Sequence, residues 1–153
     1  MKKLLKLVAI AATVVASVVA TSCSSDSSEE LNAFYDASPA DFKEKLETLQ
    51  AAGADYVIID YRSAEDYAEG HITGAINKQA TAQNTQSNSS EWCTWLKNAY
   101  PTTTYIMLYG QDASQEYYVA GRVSKLGYGK SHTWSLTNGY AAWAAAYPSE
   151  VTK

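Results

Sequence analysis

Cysteine is almost absent: this chain of 153 residues has two, Cys23 and Cys93. So few thiols exclude a Cys-built metal cluster, and His71 and His132 have no carboxylate or thiol at ligand spacing, so no metal site is expected. Basic side chains are also scarce, with 12 Lys and Arg against 16 Asp and Glu. That balance argues against nucleic acid and anionic membrane surfaces, both of which need positive charge. The longest apolar run, Leu7–Ala20, falls short of the about 20 residues a spanning helix requires. The chain contains no internal repeat.

What is present begins with a basic start (Lys2, Lys3, Lys6), that apolar run, and the small residues Ala20-Thr21-Ser22 directly before Cys23. This arrangement resembles a bacterial lipoprotein signal, with Ala20 in place of the usual Leu. The resemblance implies that residues 1–22 are removed and that Cys23 becomes a lipidated amino terminus. Cys93 is then the sole thiol and no internal disulfide forms. Without the first 22 residues the chain has nine basic and sixteen acidic side chains, so attachment to a membrane would rest on the lipid alone. Residues 23–33, beginning with Ser24-Ser25-Asp26-Ser27-Ser28-Glu29-Glu30, read as a flexible acidic tether.

From residue 34 to 148 short strands alternate with amphipathic helices, and residues 149–153 read as a tail. Phe34-Tyr35 is a brief apolar stub. Ser38-Pro39-Ala40-Asp41 predicts a helix start, with Ser38 as cap and Pro39 at the first helical position. Phe42, Leu46 and Leu49 follow at helical spacing until Gly53. Tyr56–Ile59 is a continuous apolar strand of the kind buried on both faces of a parallel sheet. Ser63 caps a second short helix, and Ile72–Ile76 reads as a short strand. Lys78–Ser90 predicts a polar surface loop. A helix carrying Trp92 and Trp95 ends before Pro101. Tyr105–Tyr109 is the next strand, followed by a polar loop and a helix to Leu126. Thr133–Leu136 predicts a last strand, and Gly139 opens a final helix containing Trp143. The alternation implies an α/β fold with a parallel sheet and helices on both faces.

The segment Asp60-Tyr61-Arg62-Ser63-Ala64-Glu65-Asp66-Tyr67-Ala68-Glu69-Gly70-His71-Ile72-Thr73-Gly74-Ala75-Ile76-Asn77 resembles the rhodanese-like domain, marked by D-x-R-x-x-x-E-[FY]-x-x-G-H-I-x-G-A-I-N. Asp66 stands where the motif has Glu. The ending Leu136-Thr137-Asn138-Gly139-Tyr140-Ala141-Ala142-Trp143 is similar to the family's L-x-G-G-[FYW]-x-x-W, with Asn138 in place of the first Gly. The resemblance implies a three-layer domain around a central parallel sheet of about five strands. It also makes Asp60, Arg62, Gly70, His71 and Gly74 structural: Asp60 and Arg62 as an internal ion pair, His71 as a residue that shapes its turn.

In active members a Cys opens the loop C-x-x-G-x-R-[ST] after the strand, and its thiolate accepts sulfane sulfur from a donor such as thiosulfate. Laying that loop on Gly110, Gln111, Asp112, Ala113, Ser114, Gln115 and Glu116 puts Gly110 at the nucleophile, Ala113 at the glycine, Gln115 at the arginine and Glu116 at the hydroxyl residue. The resemblance therefore implies a vestigial loop with no catalytic residue, since covalent transfer needs a nucleophile. Asp112 and Glu116 are expected either to repel an anion or simply to stabilise the helix amino end. Ser114 has no visible base. Cys93 is expected to pack rather than react, and His132 to lie near the surface. Tyr109, Tyr117 and Tyr118 flank the loop and offer an aromatic platform.

These readings converge on an inactive rhodanese-like lipoprotein domain in the bacterial cell envelope, needing no cofactor and binding an envelope protein or small ligand. Two alternatives stay open: a sulfurtransferase using Cys93, and a non-covalent ligand binder at residues 110–116.

Overall fold

The computed structural model describes residues 33–153. The expected signal segment, Cys23 and nearly all of the expected tether lie outside them. Among the described residues no helix is long and apolar enough to cross a membrane.

Strand β1 (Tyr35–Ala37) leads into helix α1 (Pro39–Ala52), whose cap is as expected: Asp41 N–H donates to Ser38 Oγ at 3.2 Å. Strand β2 (Tyr56–Asp60) is followed by α2 (Ala64–Glu69), started in the same way by Ser63, which accepts from Asp66 N–H at 3.1 Å. The segment expected as one strand over Ile72–Ile76 is two. β3 (His71–Ile72) and β4 (Ile76–Asn77) are separated by a turn closed by Ala75 N–H to Ile72 O at 2.9 Å. Each pairs elsewhere, β3 antiparallel with β7 (Val151–Thr152) and β4 parallel with β2. The end of the chain is thus a strand with a structural partner rather than a mere tail.

The 78–90 loop is polar as expected, yet Ala80 and Thr85 within it are buried. Helix α3 (Glu91–Ala99), strand β5 (Tyr105–Tyr109) and helix α4 (Glu116–Val123) follow. The regular helix stops at Val123, short of Leu126, because the chain widens over Ser124–Tyr128 and Gly127 takes φ 107, a backbone state that L side chains resist. A short α5 (Gly129–His132), β6 (Thr133–Leu136) and α6 (Gly139–Ala146) complete the order. Asn138, which departs from the family's glycine, sits at φ 60. Asn tolerates that region better than most residues, so the departure is compatible with the turn.

The main sheet has the order β1-β6-β5-β2-β4 and is parallel throughout. Successive strand residues face opposite ways, which divides the core in two. Val57, Ile59, Ile106 and Leu108 meet Trp92, Cys93, Leu96, Val119 and Val123 on the α3–α4 side. Ile58, Met107 and Tyr109 meet Phe42, Leu46, Leu49 and Trp143 on the α1–α6 side. Both faces of β2 and β5 are buried, so these strands are apolar without alternation. The result is the three-layer α/β domain with a five-stranded parallel sheet.

Candidate functional site

β5 ends at Tyr109 and delivers the chain to Gly110 at the carboxyl edge of the sheet, where the loop runs through a single 3₁₀ turn (Ala113–Gln115) into α4. Two backbone bonds fix this entry: Tyr140 N–H donates to Gly110 O at 2.8 Å, and Tyr61 N–H donates to Tyr109 O at 3.1 Å. The second brings the residue following β2 alongside the residue preceding the loop.

That residue is Tyr61, and its ring fills the space a side chain on Gly110 would need. A β-carbon built on Gly110 would lie 2.6 Å from Tyr61 Cζ and 2.7 Å from Tyr61 Oη, well inside van der Waals contact. Tyr61 is 4 % exposed. Burial raises its phenol pKa, and the carboxyl groups of Glu116, Asp112 and Asp60 add to the rise, so the ring is neutral throughout the physiological range. Sequence reading passed over Tyr61 as the variable position of D-x-R. The available signal was the pairing of a large aromatic there with a missing side chain at Gly110.

The loop itself is satisfied from within. Gln111, Asp112, Ala113, Ser114 and Gln115 are exposed. The Asp112 carboxylate accepts the Ser114 N–H at 2.8 Å, and its bonds to Ser114 hold its pKa below the ordinary carboxylate value. An amide that could face an anion in such a loop is therefore bound by the loop's own carboxylate. A 250 Å³ pocket remains beside it, with Tyr61, Arg62, Asp66, Asp112 and Gln115 among its lining; no His, Lys or Cys lines it. The carboxylate beside Ser114, that of Asp112, has a lowered pKa and so is a correspondingly weak base for the Ser114 hydroxyl.

Glu116 departs from expectation. It neither lies over the loop nor faces solvent at the helix end; it is 2 % exposed and turned into the sheet. Its carboxyl pKa is pushed up to about 7, chiefly by burial; the Ser135 hydroxyl opposes the rise and the Asp36 carboxyl adds to it. No well-formed hydrogen bond reaches Glu116 Oε1 or Ser135 Oγ. Of the two carboxylates expected beside the loop, Asp112 alone is exposed on it.

Asp60 and Arg62 form the expected brace. Arg62 Nε donates to Asp60 Oδ1 at 3.0 Å and Nη2 donates to Asp60 Oδ2 at 2.6 Å and to Gly70 O at 2.7 Å. Burial works to lower the Arg62 pKa, but the bonds to Asp60 outweigh it and the net shift is upward. Asn77 Nδ2 holds the same corner through Asp60 O at 3.1 Å and Arg62 O at 3.0 Å. The motif's ends thus fix the strand-to-helix turn that carries Tyr61. His71 stacks on Tyr67 at 3.8 Å and its Nδ1 lies 3.0 Å from Tyr67 O, while Gly74 sits in the turn between β3 and β4.

Other candidates lie apart. Cys93 is fully buried on α3 among the core residues, and burial raises its thiol pKa against the pull of Arg122 and Lys97. Tyr109 is buried on the α1–α6 side and its hydroxyl accepts from Ile72 N–H at 3.0 Å. The expected platform is therefore not assembled: Tyr117 and Tyr118 are exposed, and Tyr117 packs edge-on against Phe34 at 5.6 Å. His132 is half-buried with its ring 4.4 Å from Tyr105.

A family model described as "Rhodanese-like domain" matches residues 38–146. The chain belongs to the rhodanese-like domain family. Among curated relatives it is 29 % identical over 111 residues to thiosulfate sulfurtransferase GlpE of Pseudomonas entomophila, covering 72 % of this chain and 88 % of the relative. The same-named protein of Pseudomonas putida is 27 % identical over 114 residues, with the same coverage. Among solved structures, the rhodanese-like domain of an Anabaena protein superposes with TM-score 0.54 at 21 % identity, covering 72 % of this chain and 74 % of that one. A Rhodopseudomonas palustris protein of unknown function, described as a possible tyrosine phosphatase, gives TM-score 0.57 at 16 % identity over 78 % of this chain and 86 % of its own. At these identities the structural likeness speaks for the fold alone.

Proposed function

We propose that this rhodanese-like domain has lost sulfur transfer and serves as a binding or scaffolding module, held at a bacterial cell envelope by a lipid on Cys23. The observation that carries the reading is the Tyr61 ring standing where a side chain on Gly110 would project. The Asp112 carboxylate on a loop amide supports it, because a loop that binds its own carboxylate discriminates against a second anion. Aligned with the family's loop, Gly110 takes the place of the nucleophile and Gln115 that of the arginine. A partner would meet the exposed loop and the 250 Å³ pocket beside it, whose carboxylates favour a neutral or cationic group over thiosulfate.

The competing reading is a sulfurtransferase, in keeping with the names of the curated relatives. Its sole thiol would be Cys93, but a thiol without solvent access and with a raised pKa carries little thiolate. With thiosulfate as donor and cyanide as acceptor, the protein is expected to release no thiocyanate, and mass spectra after thiosulfate treatment to show no sulfur added to Cys93. Thiocyanate above the level of a Cys93→Ala variant would establish the competing reading instead. The anchor has its own test: in cells of a bacterium that processes lipoproteins, the chain is expected in the membrane fraction, and Cys23→Ser in the soluble fraction. Membrane association that survives Cys23→Ser would remove the lipid from the proposal.

A further inference from the structure

The pocket beside the loop holds more acceptors than its own residues use. Asp66 and Asp112 both line it. Among the described residues the ion pairs join Lys43 to Glu47 and Glu150, and Arg62 to Asp60. Neither pocket carboxylate therefore has a cationic partner; Asp66 bonds to the Ser63 hydroxyl at 2.8 Å and Asp112 to Ser114 N–H, both neutral. Arg62 also lines the pocket, but Asp60 answers its charge. Its Nε and Nη2 are engaged by Asp60 and Gly70 O, and Nη1 turns to Gln111 Oε1 at 3.4 Å.

Tyr61 supplies a further acceptor. Its hydroxyl makes no hydrogen bond, yet it is not among the wholly enclosed atoms left so, which are Glu116 Oε1, Ser135 Oγ and Trp143 Nε1. The residue is only 4 % exposed and the loop pocket is the cavity it lines, so its oxygen opens there. A buried hydroxyl without a protein partner, between two carboxylates without cations, marks a place for a group rich in donors. A guanidinium offers five N–H donors in a planar fork and sheds water more readily than an ammonium. At 250 Å³ the space lies below the usual range of small-molecule sites, and it suits a single long side chain.

The groove continues past the loop. Thr81, Ser114 and Gln115 also line a 100 Å³ pocket walled by Ala82, Val119 and the exposed Tyr118. In an extended chain, side chains two residues apart lie on one side, about 7 Å from each other. We propose that this groove receives an extended segment of a partner protein, with an arginine between Asp66, Asp112 and Tyr61 and a small apolar side chain, two residues away, against Tyr118 and Val119. The guanidinium donates to both carboxylates and to Tyr61 Oη. This rests on reading the loop as a binding site and names what it binds.

The test is a titration of the isotopically labelled protein with acetyl-Arg-Gly-Val-amide and with acetyl-Val-Gly-Arg-amide, followed through the backbone N–H resonances of residues 111–115. Each is added to roughly 10 mM, a range in which a weak one-site complex saturates. At least one peptide is expected to move those resonances saturably. Citrulline in place of the arginine keeps the shape without the charge and is expected to raise the midpoint about tenfold. Asp112→Asn, which still offers an oxygen to Ser114 N–H, should also raise it about tenfold. Tyr61→Phe, which removes only the hydroxyl, should raise it about fivefold, and acetyl-Arg-amide should bind about tenfold more weakly than the longer peptide. The proposal is overturned if neither peptide gives saturable movement, if the citrulline peptide binds as tightly, or if both substitutions leave the midpoint unchanged. Equal affinity for acetyl-Arg-amide would remove the apolar contact from it. Absence of peptide binding in a protein that releases no thiocyanate overturns this inference alone, whereas saturable binding by a protein that does release thiocyanate leaves it standing and refutes the loss of sulfur transfer.

Discussion

Gly110→Cys alone is expected to produce no sulfurtransferase, only a protein less stable by about 1–3 kcal/mol, the usual cost of overfilling a packed site. The new β-carbon would sit 2.6 Å from Tyr61 Cζ, and Tyr61 is too enclosed to swing aside without displacing core neighbours. Combining Gly110→Cys with Tyr61→Val removes that collision, so the two changes should couple by about 0.5–3 kcal/mol in a double-mutant cycle. Adding Gln115→Arg supplies a fixed cation for the donor. In this triple variant the introduced thiolate would attack the sulfane sulfur of thiosulfate and sulfite would leave. The resulting persulfide would pass its sulfur to cyanide as thiocyanate, regenerating the thiolate. Roughly 100-fold more thiocyanate than from the double variant lacking Gln115→Arg is expected, since one added electrostatic contact is worth that order of rate. Asp112→Ala should raise it further by freeing the Ser114 N–H. Two results would contradict this account: a Gly110→Cys protein as stable as the parent and active by itself, or a folded triple variant on which no persulfide forms.

The fold was legible wherever local chemistry decides structure. Ser38 and Ser63 announce helix starts because a hydroxyl before a helical run has an orphan N–H to accept from, and both caps are present. The apolar runs at Tyr56 and Tyr105 announce buried strands because parallel sheets leave them no wet face. The sequence was silent where a partner far along the chain decides. Ile72 and Ile76 look like one strand, yet Thr73 N–H is claimed by Glu150 O at 3.0 Å and draws β3 toward β7. Nothing local in Val151–Thr152 reveals that pairing.

The candidate site divides along the same line. The loop after β5 could be located over Gly110 to Glu116, and the Asp60–Arg62 brace from its motif. Tyr61 could not be assigned its role, because the volume it fills is defined by Gly110, on the neighbouring strand's far end and distant along the chain. The placement of Glu116 was also hidden: a carboxylate in a first helical turn is ordinarily a solvated partner of the helix dipole. Here the helix is rotated so that Glu116, Val119, Ala120 and Val123 share the buried face. Tyr117 and Tyr118, which look like the stronger core candidates, are left outside.

This inverted placement makes stability pH-dependent in the direction opposite to most acids. Glu116 titrates at about 7 in the fold against an ordinary value of 4.5. Between those two pH values the native state holds a proton that the unfolded chain has lost, so stability falls as pH rises through the interval. The contribution is fully present below about 4.5, and above about 7 the loss is complete at about 3 kcal/mol, the free-energy equivalent of the shift. Glu116→Gln keeps the shape and removes the titration. It is expected to raise the urea midpoint substantially at about pH 8 and to change it little at about pH 5, with the denaturant slope unaltered. The control is Asp112→Asn, which alters an exposed carboxylate whose pKa is lowered rather than raised and should therefore lack the gain at the higher pH. A Glu116→Gln effect of equal size at both pH values would mean that the side chain is charged in the fold at both.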